Sequence, residues 1–154
     1  MARKSNKDDV SVTFAVAGTD DDDVLNGRND ADDVLDGGAG NDYLDSFGGA
    51  DTLIGGSGAD TFKVHSWASS NLSAGVDTIM DFEASDKIDL TNLRHYSEAD
   101  VLVATSRPVE WGDITLIPIA GGNHMHVEVV AGDSRWDVDM DILGETPTVD
   151  SFIF

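Results

Sequence analysis

The stretch GGAGNDYLD, residues 37–45, decides the fold. Three glycines fall in four positions, then Asn-Asp, then a large apolar residue flanked by polar ones. Neither a helix nor an ordinary strand begins this way. The stretch recurs in register. Residues 18–26 read GTDDDDVLN, Gly27 stands outside the count, and residues 28–36 read RNDADDVLD. Residues 46–54 read SFGGADTLI and 55–63 read GGSGADTFK. Position six of every block is Asp: Asp23, Asp33, Asp42, Asp51 and Asp60. Position eight is large and apolar in every block: Leu25, Leu35, Leu44, Leu53 and Phe62. A solvated acidic loop with flexible glycines would explain the composition but not this shared phase.

Each block divides into a turn of six residues and a strand of three. Glycines in the turn permit positive φ and let carbonyls converge. In the strand, alternation sends position eight inward. Two blocks make one winding, so turns two blocks apart stack. The architecture expected is all-β: a right-handed parallel β-roll over residues 18–90, preceded by a tail and capping strand (1–17) and followed by a C-terminal antiparallel β cap (91–154). Stacked turns offer carbonyls and paired carboxylates, the all-oxygen shell that Ca²⁺ prefers. Asp42 is expected to face Asp60 and Asp23, reaching two ions with its two oxygens, and Asp33 to face Asp51. The candidate metal residues are these five aspartates with Gly18, Asp20, Arg28, Asp30, Gly37, Gly38, Ala39, Gly40, Phe47, Gly49, Gly55, Gly56, Gly58 and Asp77.

The pattern then fades. Residues 72–80, LSAGVDTIM, keep Gly75, Asp77 and Ile79 in phase, and 81–89, DFEASDKID, keep Asp86 and Ile88. Before them, 64–71 form an irregular excursion. Residues 10–17, VSVTFAVA, read as a strand covering the first winding. Beyond residue 90 a short helix is expected around SEADVL and a strand at LVAT. Strands are then expected at 113–120, 124–131 and 135–143, a meander that packs on the open end of the roll.

Composition agrees. Net charge is −21, with aspartate outnumbering glutamate about five to one, which favours cations at turns and argues against nucleic acid as a partner. Cysteine is absent, so thiolate metal sites and disulfides are excluded. No apolar run is long enough for membrane insertion, and MARKSNKDDV lacks the apolar core of a secretory signal.

No enzyme is expected. His124 and His126 share a strand face, but such a pair is more often a polar face than a ligand pair. His65 and Ser66 lack an evident third partner, and Trp67, Trp111 and Trp136 read as packing residues more readily than sugar platforms. No HExxH or GxSxG motif occurs.

GGAGNDYLD and GGSGADTFK resemble the repeat of the RTX family of secreted bacterial proteins. The run GGSGADTF…GVDTIMDFEASDKIDLTNL resembles the C-terminal domain shared by serralysin-type proteases and the R-modules of mannuronan C-5-epimerases. The resemblance implies Ca²⁺ as cofactor, folding outside the cell, and a signal at the extreme C-terminus for the type I (ABC-transporter) secretion machinery, here Asp150, Ser151, Phe152, Ile153 and Phe154. The protease and epimerase catalytic domains are absent from these residues, leaving an accessory module. An R-module implies an acidic polysaccharide such as alginate as a further partner, although Lys87, Arg94, Arg107 and Arg135 are scattered rather than gathered. The C-terminal end of a large secreted adhesin or protease is the remaining alternative.

Overall fold

The computed structural model describes residues 14–29, 31–63, 76–92, 101–103, 114–131 and 134–153. The repeat region forms strands β1 (Phe14–Ala17), β2 (Val24–Asn26), β3 (Asp33–Ala39), β4 (Tyr43–Asp45), β5 (Thr52–Ser57), β6 (Thr61–Lys63), β7 (Asp77–Phe82) and β8 (Lys87–Asp89). The chain continues with β9 (Val101–Val103), β10 (Ile114–Ile119), β11 (Gly122–Ala131), β12 (Ser134–Gly144), a 3₁₀ turn (Val149–Ser151) and β13 (Phe152–Ile153). Successive strands of the repeat alternate between two sheets. One runs β1-β3-β5-β7-β12-β11-β10-β9, and the other runs β13-β8-β6-β4-β2. All pairings within the repeat are parallel. This is the β-roll that the nine-residue phase requires.

Parallel register places each position-eight residue against its counterpart two blocks away. Leu25, Leu44, Phe62, Ile88 and Phe152 form one column. Val16, Leu35, Leu53, Ile79 and Ile142 form the other. Leu35, Leu44, Leu53, Phe62, Ile79 and Ile88 are wholly buried, so the two columns are the core between the sheets. At about 25 cal/mol per Å² of apolar area removed from water, such columns supply the main favourable term for folding. That term alone does not bring the turns close, because the turns carry carboxylates.

Beyond the repeat, β10, β11 and β12 are antiparallel. They sit near the expected strand positions, on the edge of the first sheet. Strand β12 pairs in parallel with β7 and carries the first sheet onward, with Met140 and Ile142 buried in the same core as the repeat leucines. Leu102 and Val103 lie in strand, as expected of LVAT, and so does Val101, which was expected in a short helix, with β9 parallel to β10. β-Branched valine at either end of Val-Leu-Val favours the strand. The remainder of that expected helix, the excursion at 64–71 and residues 10–13 of the expected first strand lie outside the described residues.

Candidate metal centre

Stacking the turns builds two chains of carboxylates. The Asp23 N–H donates to Asp42 Oδ1 (2.7 Å), Asp42 N–H to Asp60 Oδ1 (2.9 Å), and Asp60 N–H to Asp86 Oδ1 (3.0 Å). On the other side, Asp33 N–H donates to Asp51 Oδ1 (2.7 Å) and Asp51 N–H to Asp77 Oδ1 (2.9 Å). Each aspartate after the first in its chain thus receives the amide of the winding before it. Bonds to ionised acceptors are roughly twice as strong as neutral ones. They hold the carboxylates in place, with Asp33, Asp42, Asp51 and Asp60 each 1% exposed.

The second oxygens distinguish the loops. Oδ2 of Asp42, Asp51 and Asp60 is buried and accepts no hydrogen bond. At the ends of the two chains the same oxygen is filled by protein. Asp23 Oδ2 accepts from Thr19 N (2.6 Å) and Thr19 Oγ1 (2.8 Å). Asp86 Oδ2 accepts from Glu83 N (2.8 Å), Asp77 Oδ2 from Ser46 Oγ (3.5 Å) and Asp33 Oδ2 from Arg28 N (2.5 Å). An unpaired buried carboxylate oxygen costs more than a neutral group left unpaired, where about 1–3 kcal/mol is usual. Each of these oxygens, on Asp42 and Asp60 in one chain and on Asp51 in the other, is an open donor that fits a cation. Asp42 was expected to reach ions above and below with its two oxygens. The amide of Asp23 occupies one of them, so Asp42 has one oxygen to offer.

What surrounds these oxygens is carbonyl. A methyl group added at Gly37 would touch Asp42 Oδ2 and stand 2.6 Å from the Gly55 carbonyl oxygen. The carboxylate of one loop and a carbonyl of the next winding therefore converge on one point, which only glycine leaves open. Among the described residues, no three His, Cys, Asp or Glu side chains gather as a metal centre. A single carboxylate oxygen with backbone carbonyls is a hard, all-oxygen donor set, suited to Ca²⁺ rather than to zinc.

Burial pushes the Asp51 carboxyl up to about 7, against the pull of the Asp33 N–H and with help from the charges of Asp77 and Asp33. Burial likewise raises Asp60 and Asp77 to about 6 each, opposed by the N–H groups of Asp42 and Asp51 respectively. Asp86 is also raised by burial. Asp51, Asp60, Asp77 and Asp86 are thus costly to ionise without a counter-charge.

Other expected site residues fall as follows. Asp20 lies in the exposed 18–23 turn, and Asp30 lies outside the described residues. Gly38, Gly40, Gly49, Gly56 and Gly58 all have positive φ, as turn glycines should. Phe47 takes the left-handed region too (φ 62), where Gly38 and Gly56 stand in the glycine-rich blocks. Gly18 and Gly55 open their turns beside Asp23 and Asp60. Ala39 lies at the end of β3, where its N–H donates to Thr19 O.

Two features escaped the sequence reading. Asp81 stands where a block would begin with glycine, and its two oxygens accept from Gly55 N (3.0 Å) and Gly56 N (2.9 Å). The carboxylate thereby closes the last full loop. The departure from glycine at position one was the available signal. The other is a buried ion pair, Lys63 Nζ to Asp89 Oδ2 (2.8 Å), with Thr91 Oγ1 also on Nζ (2.6 Å) and Tyr43 OH on Asp89 (3.2 Å). Burial works against the Asp89 charge. The bonds from Lys63 and Thr91 outweigh it and hold the carboxyl below its usual range. Burial, with the charge of Asp89, pushes Tyr43 up to about 12.

His124 and His126 face partners across the β11–β12 pair. His124 Nδ1 lies 2.7 Å from Asp141 Oδ1, and His126 Nδ1 lies 2.7 Å from Asp139 Oδ1. They form a polar strand face. His65, Ser66, Trp67, Arg94, Arg107 and Trp111 lie outside the described residues.

Residues 29–62 match the family model of the RTX calcium-binding nonapeptide repeat (4 copies). No curated protein matches the sequence. Among solved structures, AlgE6R3, a subunit from the Azotobacter vinelandii mannuronan C5-epimerase, is 26% identical with a TM-score of 0.55, over 94% of this chain and 84% of that one. AlgE6R2 from the same epimerase is 23% identical with a TM-score of 0.55, over 94% of each chain, a likeness of fold. The chain therefore carries RTX calcium-binding nonapeptide repeats on a β-roll that resembles the R-module subunits of a mannuronan C5-epimerase.

Proposed function

We propose that this chain is a non-catalytic module that folds when Ca²⁺ enters its turns outside the cell. The observation that carries the reading is the set of three buried, unpartnered oxygens on Asp42, Asp51 and Asp60. Each would join carbonyls of its own and the neighbouring winding around an ion. Bound Ca²⁺ supplies positive charge between stacked carboxylates, which otherwise repel by roughly 4 kcal/mol per bare pair near 4 Å at an effective dielectric of 20. Several such pairs rival a domain's whole stability of about 5–15 kcal/mol. Extracellular modules bind Ca²⁺ at about 10⁻⁴–10⁻³ M, so the cytosolic chain stays unfolded.

Circular dichroism tests this. In EDTA at about pH 8 the chain should be largely unfolded, and millimolar Ca²⁺ but not Mg²⁺ should restore a cooperative transition. The effect of pH follows from Asp51, Asp60 and Asp77, whose carboxyls bind protons more tightly in the folded state. Their contribution favours folding most below the unfolded value near 4 and is lost as pH rises through about 6 to 7. Asp89 has the opposite sign, but its contribution is lost only below its ordinary range near 4. In EDTA the chain should therefore be more folded at about pH 5 than at pH 8. A fully folded spectrum in EDTA at both pH values would overturn the reading.

Export by a type I transporter rests on the resemblance of the C-terminus. It is supported by how that end folds. Phe152 and Ile153 pair with Ile88 and Asp89, Phe152 and Ser151 are buried, and Lys87 Nζ donates to Asp150 O (2.6 Å). A signal held in a sheet is readable only before folding, as an unfolded cytosolic chain allows. Removing residues 150–154 should abolish export from a host with a matched transporter, and undiminished export would place the signal elsewhere.

The second reading is an alginate-binding R-module, favoured by the likeness to AlgE6R3 across 94% of this chain. Adding alginate oligomers to the calcium-loaded protein separates the two, because heat of binding belongs to this reading alone.

A further inference from the structure

We propose that Arg28 is a resident counter-ion that stands in for calcium at the Asp33 loop, so that the first winding of its column closes without metal. The inference rests on the calcium reading above and concerns a loop that departs from it.

The Asp33 loop keeps the geometry of the glycine-rich ones. A methyl group at Gly27 would stand 3.0 Å from Asp33 Oδ2 and 2.6 Å from the Ser46 carbonyl oxygen. Gly37 has the same relation to Asp42 Oδ2 and the Gly55 carbonyl. The difference is occupancy by protein. Arg28 Nη2 lies 2.7 Å and Nε 3.1 Å from Asp33 Oδ1, and Arg28 N donates to Asp33 Oδ2 at 2.5 Å. Both oxygens of a carboxylate with no solvent exposure are thus filled by one residue. The guanidinium carbon also sits 4.8 Å from the centre of the Phe14 ring, which orients it from the neighbouring strand.

The sequence shows why only this loop holds a guanidinium. Gly27 is the residue that falls outside the nine-residue register, and it takes the opening position that Gly37 takes in its own loop. Arg28 is thereby drawn into the turn as an extra residue. The other repeat turns, GTDDDD, GGAGND, SFGGAD and GGSGAD, contain no Lys or Arg. A planar, permanently charged fork neutralises a buried carboxylate in the way an ion would, but at any calcium concentration. The device suits an end position. Asp51 and Asp77 each receive an amide from the winding before them on Oδ1, whereas on Asp33 this oxygen holds the guanidinium.

The test is the number of Ca²⁺ ions bound per chain, by calorimetric titration, with circular dichroism reporting the fold. Arg28→Gln removes the charge and should bind about one more ion per chain than wild type. Arg28→Gln combined with Asp33→Asn should lose that additional ion. The proposal is overturned if the folded Arg28→Gln chain binds the same number as wild type. It is also overturned if that chain fails to fold at saturating Ca²⁺, because calcium then does not replace the guanidinium, or if the double variant keeps the additional ion. Failure of wild type to bind Ca²⁺ at all would instead remove the underlying function.

Discussion

Asp42→Ala should raise the calcium concentration at the folding midpoint by about tenfold or more, whereas Asp45→Ala should change it by less than about twofold. The substitution at 42 removes two things at once. Oδ1 holds the amide of Asp23, and a hydrogen bond to a charged group contributes about 1.5–3 kcal/mol. About 1.4 kcal/mol is a factor of ten in an equilibrium constant, but folding takes up several ions, so that bond accounts for only part of the expected shift in calcium concentration. Oδ2, buried without a protein partner, is the oxygen offered to the ion. Asp45 lies three residues on, at the end of β4, half-buried, with Oδ1 accepting from Phe47 N at 3.3 Å. It carries the same side chain but stands out of phase. Register alone would rank Asp51 between the two, because it has one clear stacked partner. Its geometry places it beside Asp42, with Oδ1 taken by Asp33 N and Oδ2 unpartnered, so Asp51→Ala should match Asp42→Ala. Calcium titrations followed by circular dichroism give the ranking. Equal shifts for the substitutions at 42 and 45 would mean that general acidity, not phase, governs folding.

Gly58→Ala should destabilise the calcium-loaded roll by roughly 2–6 kcal/mol, combining a strained backbone with overpacking. Gly58 has φ +142, and a methyl group there would press on the carbonyl of Gly40 in the stacked turn. Neither the carbonyl nor the winding below can retreat without breaking the carboxylate chain that joins Asp42 to Asp60. Gly121 is the control. Its φ is +88, yet a methyl group would meet nothing within 4 Å. Gly121→Ala therefore carries only the left-handed backbone cost of about 1–2 kcal/mol. Urea denaturation at saturating Ca²⁺ separates them, and equal losses would show that close stacking of the turns is not what makes glycine necessary.

The nine-residue phase was legible because the physics behind it is local. A glycine turn followed by an alternating strand commits Leu44 to the interior and Asp42 to the turn, whatever lies above or below. Parallel stacking of identical units then follows, since neither column of leucines can be buried by one unit alone. The positions of β10, β11 and β12 were legible for a similar reason, as alternating segments separated by glycine turns. The same logic was ambiguous at Leu102, which fell in both the expected helix and the expected strand LVAT, and failed at Val101. Three or four residues carry too little periodicity to separate helix from strand, and pairing with β10 decides it.

From sequence alone came the turns, the inward columns, the aspartates in phase and the oxygen chemistry that calls for calcium. Tertiary structure alone decided how each carboxylate divides its oxygens. The amide that Asp42 accepts belongs to a residue nineteen positions earlier, and its presence depends on a complete winding there. Chain ends therefore behave unlike the middle: Thr19, Glu83 and Arg28 fill oxygens that Asp42, Asp51 and Asp60 leave open. Long-range packing likewise pairs Lys63 with Asp89 and joins β12 to β7. No local signal encodes these pairings, because a side chain's partner across the roll is set by stacking order rather than by its neighbours in sequence.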